Sequence, residues 1–166
     1  MESSDYHDAS NSSSFIGIYP LGSVAISHGK AILSMPDGAT ITHTVNNTYR
    51  CDNAINQFIH AIKVTGDGSQ YCGLYGYTAF NAVRYFENIA VKDTTMQKND
   101  APDMLYILYR DIIVFDHFNN KMTLVTLVPQ NNDAEAMKAA GEEALHHLET
   151  AINRQSVKPY AFHPVG

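Results

Sequence analysis

Histidine and cysteine have the most obvious chemistry in this chain, because both residue types bind transition metals. The sequence holds eight histidines and two cysteines. His146 and His147 are adjacent, and successive helical residues lie about 100° apart around the axis, so their rings would leave a helix on different faces. The spacing of Cys51 and Cys72 fits no paired zinc-binding motif. We therefore predict no metal site and two free thiols.

The glycines and serines form no recognised catalytic motif. Gly73 and Gly76 lie between a predicted strand and a predicted helix, but the lysine of a phosphate-binding loop and the third glycine of a dinucleotide fingerprint are both missing. We interpret these glycines as positions where the strand passes close to neighbouring backbone. No Gly-x-Ser-x-Gly sequence is present to hold a serine nucleophile.

The acidic residues are also outside any motif that would pair them for acid–base catalysis. The candidates are Asp5, Asp8, Asp103, Asp111 and Asp116. Asp111 lies between two apolar runs, where it is either a turn residue or a buried hydrogen-bond acceptor. Arg84 and Glu87 are three residues apart in a predicted helix, so we expect a solvated ion pair between them. Residue types and spacing thus nominate no catalytic residue.

Composition excludes several classes of protein. The 166 residues suit one domain, and 45% are hydrophobic against 17% charged, which is enough for a core. Eleven basic against 17 acidic residues give a net charge of −6, so a basic surface for nucleic acid or an anionic membrane is not expected. No apolar run approaches the roughly 20 residues of a membrane span, and the serine-rich, acidic start of the sequence lacks the basic and then apolar pattern expected of a signal peptide. We expect a cytoplasmic protein.

The first half of the chain has the pattern of a β-meander followed by helix, strand and helix. Short runs rich in β-branched and aromatic residues alternate with glycine and proline turns over residues 13–44. Asp52 is expected to cap a helix with a buried stripe of Ile55, Phe58, Ile59 and Ile62. A strand over 71–77 and a helix from Thr78 to Phe86 should follow.

The second half predicts three strands and the longest helix. The strands cover residues 104–109, 112–115 and 122–128, and Asn119 and Asn120 suit a tight hairpin turn before the third. Asn132 and Glu135 form a capping box, which begins a helix with Met137, Gly141, Ala144, Leu148 and Ile152 on one face. The prediction is one α+β domain over 1–154, with antiparallel β-sheets covered by about three helices, and a linker over 155–166.

Two segments, one with Glu2–Asp5 and Ser14–Pro20 and the other with Gly73–Tyr77 and Ala82–Glu87, resemble signatures near the start of the anthranilate synthase large subunit (component I), a chorismate-utilising enzyme. Residues Glu2–Asp5 and then Ser14–Pro20 are similar to its Leu-Leu-Glu-Ser and Ser-Phe-Ile-Gly-x-x-Pro sequences. Gly73–Tyr77 and Ala82–Glu87 are similar to its Gly-Leu-x-Gly-Tyr and Val-Arg-x-Phe-Glu sequences. The order and spacing of the segments agree with that family.

A third segment continues the resemblance, from Pro102–Met104 through Val114–His117 to Met122–Leu124. In that family this region is the N-terminal part of a chain about three times longer, and catalysis belongs to a C-terminal domain. The resemblance therefore implies an N-terminal fragment of type α+β, without catalytic residues, that lacks the catalytic domain and at least one strand at its start. Its residues 155–166 would lead toward the missing domain.

The resemblance also implies a reaction, partners and an effector. The parent enzyme uses magnesium to convert chorismate, and ammonia from a glutamine amidotransferase subunit, to anthranilate and pyruvate in tryptophan biosynthesis. Its N-terminal part contributes a feedback site for tryptophan. Carried over by position, the effector residues are Met1, Glu2 and Ser3, together with Ser13, where some relatives have a basic or aromatic residue. Serine hydroxyls and free strand-edge groups suit the charged ends of an amino acid.

Other functions remain open from the sequence. The large subunit of aminodeoxychorismate synthase shares the N-terminal architecture, and Val83–Glu87 does not separate the two enzymes. Glu2–Ser4 and the Asp116–His117 pair favour anthranilate synthase. A third possibility is a stand-alone, non-catalytic ligand-binding module. An unpaired sheet edge and apolar surface left by a missing domain would also favour self-association of the fragment.

Overall fold

The computed structural model describes residues 2–3, 12–89, 101–130 and 132–154. The chain contains two compact units, residues 1–125 and 126–166. The predicted linker over 155–166 lies outside the described residues, and so does Met1. No helix among the described residues is long and apolar enough to cross a bilayer.

The first unit is built on one antiparallel sheet, as the sequence predicts. Its strands are β1 Glu2–Ser3, β2 Ser13–Ser27, β3 Lys30–Ser34, β4 Thr40–Thr44, β5 Leu74–Thr78, β6 Met104–Asp116 and β7 Lys121–Thr126. The order β4-β3-β2-β6-β5 places the two longest strands at the centre, while β1 pairs with β2 and β7 with β6. The predicted meander and the hairpin at Asn119–Asn120 are both confirmed, and Asn120 has the positive φ of 50° that its turn requires.

The two central strands are longer than their sequence pattern predicts. β2 continues through Pro20 and Gly22, because a bulge between these residues absorbs the break in pairing with β6. A side chain at Gly22 would be 2.7 Å from the carbonyl oxygen of Ser34 and 2.8 Å from the ring of Phe58, so only glycine fits. β6 likewise runs through Asp111, which is fully buried; the turn alternative for this residue is wrong.

Helix α1, Cys51–His60, packs on β2 and β3. Its buried residues are Cys51, Ala54 and Phe58, whereas the predicted stripe residue Ile59 is half exposed. The predicted cap is also wrong, because the helix begins after Arg50, whose backbone N–H donates to Asn53 Oδ1 at 2.8 Å. The buried residues have i, i+3, i+7 spacing, so they form one stripe, which shares Phe58 with the predicted one.

The predicted second helix is a six-residue 3₁₀ helix, Phe80–Tyr85, with a shorter one at Ser69–Tyr71. Strand β5 extends to Thr78 and uses the residue predicted to begin that helix. In the second unit, helix α2 spans Ala134–Asn153, and its cap is Asp133 instead of Asn132, since the Asp133 side chain accepts the Ala136 N–H at 2.9 Å. A fold with an antiparallel sheet and few helices is thus confirmed.

Candidate functional site

A cavity of about 510 Å³ opens on one face of the sheet, at the junction of β2, β5 and β6. This volume lies in the range of roughly 300–1,000 Å³ that is typical of small-molecule sites. Its walls include four aromatic rings, those of Phe15, Tyr75, Tyr77 and Tyr109. Of the described residues that line the cavity, none is charged. Such a lining suits a flat, uncharged group held by ring contacts and shape.

Two glycines set the shape of this cavity. A Cβ atom at Gly17 would lie 2.4 Å from the Tyr109 ring, and one at Gly76 would lie 1.8 Å from the carbonyl oxygen of Leu105. Both positions therefore need glycine, and the prediction that glycine allows close backbone approach is correct for Gly76. Gly73 has no atom within 4 Å of such a Cβ, so the same reason does not apply to it.

Two of the three tyrosine hydroxyls around the cavity donate to backbone carbonyl groups. Tyr75 donates to the carbonyl oxygen of Tyr71, and Tyr77 donates to that of Pro102 at 3.1 Å. Burial raises the pKa of the Tyr75 hydroxyl. These bonds fix the orientation of both rings, so the cavity walls are held in place before any ligand arrives.

The predicted effector residues lie at one end of β2. Glu2 and Ser3 form β1, in which Glu2 is opposite Ser14 and Ser3 is opposite Ser13. On its other side Ser13 is paired with Asp116 of β6. Ser13 and the cavity residue Phe15 are two positions apart in one strand, so they share a face of the sheet. Three of the four predicted residues are therefore neighbours in the backbone, close to the cavity; Met1 lies outside the described residues.

A second cluster of polar residues joins three elements of the first unit. Tyr85 donates to Asp103 Oδ2 at 2.7 Å and accepts the backbone N–H of Gly29 at 3.1 Å. Arg84 Nη2 lies 3.4 Å from Asp103 Oδ1, so Arg84 has Asp103 as a charged partner. Burial, and then the bond to Asp103, raise the pKa of Tyr85 to about 12. The cluster connects the β2–β3 turn, the 3₁₀ helix and the start of β6.

The two carboxylates within β6, those of Asp111 and Asp116, also have hydrogen-bond partners. Asp111 is fully buried, and Arg110 donates to its two oxygens at 3.0 and 2.7 Å. The guanidinium of Arg110 also lies over the Tyr19 ring, at 4.3 Å from its centre. Asp116 accepts three bonds from its own turn. These carboxylates act as structural acceptors in the described part of the chain.

Metal binding finds no support in the described part of the chain. No three histidine, cysteine, aspartate or glutamate side chains come together there as ligands. Burial raises the pKa of both cysteine thiols, which are free, so they stay protonated at neutral pH. The sequence did not reveal the cavity itself. Its one local signal is the Tyr75-Gly76-Tyr77 sequence, which puts two aromatic rings on the same face of β5.

Comparison with known proteins identifies a family that matches this chain. The model of the family described as chorismate binding enzyme matches residues 5–164. The structure is similar to that of anthranilate synthase component I from Streptococcus pneumoniae TIGR4, with a TM-score of 0.55 and 18% sequence identity. The similarity covers 82% of this chain and 29% of that chain, so this chain spans less than a third of the other's length. No curated protein matches the sequence.

Proposed function

Because this chain belongs to the chorismate-binding enzyme family, we propose that it forms the N-terminal, non-catalytic part of an anthranilate synthase component I. The fold similarity to such an enzyme and the ordered sequence signatures support this assignment. In that enzyme, chorismate and ammonia from a glutamine amidotransferase subunit would become anthranilate, pyruvate and water. The role of this part would be to support the fold and to bind the feedback effector.

Catalysis would have to use residues from elsewhere in the enzyme. The resemblance implies magnesium, but the described residues hold no group of three ligand side chains that fits it. The carboxylates of Asp103, Asp111 and Asp116 are each occupied by hydrogen bonds within the fold. We therefore assign no step of the reaction to the described residues.

We propose that the effector is tryptophan and that it binds along the start of β2. The observation that carries this proposal is the position of Ser13, which is opposite Ser3 and two residues from the cavity residue Phe15. The Ser13 hydroxyl would bind one charged end of the amino acid, and backbone groups of β1, which among the described strands pairs only with β2, would bind the other. The uncharged aromatic cavity beside them would receive the indole ring.

The serine at position 13 also indicates that the affinity of this site for tryptophan is low. An uncharged hydroxyl binds a carboxylate more weakly than a basic side chain does, because only the basic side chain adds the Coulomb attraction between two opposite charges. We expect isothermal calorimetry on the chain alone to detect no low-micromolar binding of tryptophan. Amide shifts in an NMR titration at high tryptophan concentration should nevertheless be confined to β2 near Ser13, to Phe15 and to Gly76.

The substitution Ser13→Lys tests the site directly. A lysine there should raise the affinity for tryptophan about tenfold, because a positive charge beside the carboxylate adds roughly 1.4 kcal/mol of Coulomb attraction. Thr42→Lys is the matched control, because it adds the same charge on the exposed strand β4 at the other edge of the sheet. Equal gains in both variants, or amide shifts elsewhere than β2 and β5, would contradict the proposed site.

A stand-alone ligand-binding module is the second candidate. One observation favours it, namely that among the described residues those of β2, β5 and β6 are enough to form the cavity walls. The same calorimetry separates the two functions. Low-micromolar binding by the isolated chain would support a complete binding module, and its absence together with weak, localised amide shifts would support a partial effector site.

A further inference from the structure

We propose that His117 is a positioning residue that holds the start of β2 in the conformation needed for effector binding. This inference rests on the proposed tryptophan site at Ser13. It concerns a group of three residues, Ser12, Ser14 and His117, which we call the His117 bridge. Nothing in the sequence pattern assigns His117 this role, because it is 103 residues from Ser14 along the chain.

Two hydrogen bonds form the bridge, one on each side of Ser13. The ring Nε2 of His117 is 2.7 Å from Ser14 Oγ. The backbone N–H of His117 donates to the carbonyl oxygen of Ser12 at 3.0 Å. A strand end is normally the part of a sheet that opens most readily. Bonds to the residues before and after Ser13 would oppose that opening at the proposed effector residue.

The bridge itself starts from a well-fixed turn. Asp116 Oδ1 accepts the backbone N–H groups of Phe118 and Asn119 at 3.1 and 2.9 Å, and its Oδ2 accepts Asn119 Nδ2 at 2.7 Å. The bond from the Asn119 side chain is the main cause that lowers the pKa of Asp116, so this acceptor stays ionised. Asp116 is also the register partner of Ser13 in β6. His117 is therefore presented to β2 from a constrained position.

A catalytic role for the Ser14 and His117 pair fits the geometry less well. A serine nucleophile needs a histidine that is oriented by a third group, usually an acid. The adjacent acid, Asp116, uses both of its oxygens within its own turn. The pair is also exposed, whereas stabilisation of a developing charge needs a site that excludes water. A positioning role uses the contacts that the structure contains.

Amide hydrogen exchange measured by NMR on the whole chain tests the bridge without any ligand. His117→Ala and Ser14→Ala should each accelerate exchange at residues 13, 14 and 117 about fivefold, since one hydrogen bond is lost. The double variant should be no faster than either single variant. His117→Gln, which retains a side-chain hydrogen-bond donor, should restore much of the protection. His146→Gln on the exposed face of α2 is the matched control and should change nothing at these amides.

A purely structural role is separated from positioning by two further readouts. Strand β3 serves as the internal reference, because loss of global stability would accelerate exchange there as well. In a tryptophan titration, His117→Ala should reduce the size of the β2 amide shifts at a given tryptophan concentration about fivefold. His117→Gln should restore their size.

Different results would contradict the His117 bridge and the tryptophan site. Unchanged exchange in His117→Ala, or equal acceleration in β3, would overturn the bridge even if tryptophan binds. Absence of tryptophan-induced shifts in the unmodified chain would overturn the effector site, and with it the positioning role, even if exchange at residues 13, 14 and 117 shows that the bridge exists.

Discussion

Removal of the Tyr85 hydroxyl should destabilise the first unit by an amount that depends on pH. This hydroxyl donates to Asp103 Oδ2 at 2.7 Å and accepts the Gly29 N–H at 3.1 Å. The side chains of Asp103 and its partner Arg84 are only 13% and 19% exposed, so solvent screens this cluster weakly. Tyr85→Phe keeps the ring and removes both bonds.

The pKa of Tyr85 sets the pH range of the effect. It is about 12 in the folded chain, raised first by burial and then by the bond to Asp103, against about 10 in an unfolded chain. A raised pKa means that the neutral form stabilises the fold fully below pH 10, and that this stabilisation is lost as the pH rises from about 10 to 12. Two pH units correspond to about 2.7 kcal/mol, which partial exposure of the ring reduces to about 1–2 kcal/mol.

Urea unfolding of the unmodified chain and of Tyr85→Phe tests this reasoning. At pH 8 the variant should lose about 1.5–3 kcal/mol, the range for a hydrogen bond to a charged group. By pH 11.5 the difference between the two proteins should shrink by about 1 kcal/mol. Tyr77→Phe is the control, because its hydroxyl makes one exposed bond to a carbonyl and its loss at pH 8 should stay below about 1 kcal/mol. A constant difference between pH 8 and 11.5, or a loss at pH 8 below about 0.5 kcal/mol, would show that the Tyr85 hydroxyl does not stabilise the fold through Asp103.

Two further pairs of variants test the cavity and the buried acid by urea unfolding. Gly17→Ala should cost about 1–3 kcal/mol, because its Cβ would be 2.4 Å from the Tyr109 ring, whereas Gly73→Ala, with open space around it, should stay within about 0.5 kcal/mol of the unmodified chain. Similar results for the two glycines would show that the ring can move without cost. Asp111→Asn should cost about 1–3 kcal/mol, because it breaks the ion pair with Arg110 in which the acid is fully buried. Asp52→Asn is the control, because it breaks the exposed ion pair with Arg50, and it should cost less than about 0.5 kcal/mol. Equal small losses for the two aspartates would contradict the importance of burial.

The local parts of the fold are the ones that the sequence predicts well. The β-meander over 13–44 and the hairpin at Asn120 follow from alternating apolar residues and turn chemistry between strands that are close in sequence. The long helix α2 is also predicted, with its cap one residue away, because Asn132 and Asp133 are both good capping residues.

Non-local pairing explains most of what the sequence does not predict. β2 crosses Pro20 and Gly22 because 12 of its residues pair with β6, and this pairing outweighs local signals that favour a break. Asp111 is a buried acceptor instead of a turn residue because β6 continues through it and pairs it with Ile18 of β2. The short 3₁₀ helix replaces the predicted helix because β5 uses Thr78 to pair with Met104.

The candidate site depends on the same long-range pairings. The cavity combines residues 15–17, 75–77 and 105–112, and no single segment of the sequence contains enough of it to be recognised. Glu2, Ser3 and Ser13 were nominated by resemblance, and the β1–β2 register brings their backbones together.

Incubation of the purified chain with chorismate, ammonium and magnesium tests whether the chain alone is catalytically inactive. We propose that these residues support the enzyme fold and hold part of an effector site, without catalysing the reaction. Anthranilate fluorescence and released pyruvate should both stay at the level of a protein-free control. Conversion of chorismate above that control by the chain alone would contradict the account.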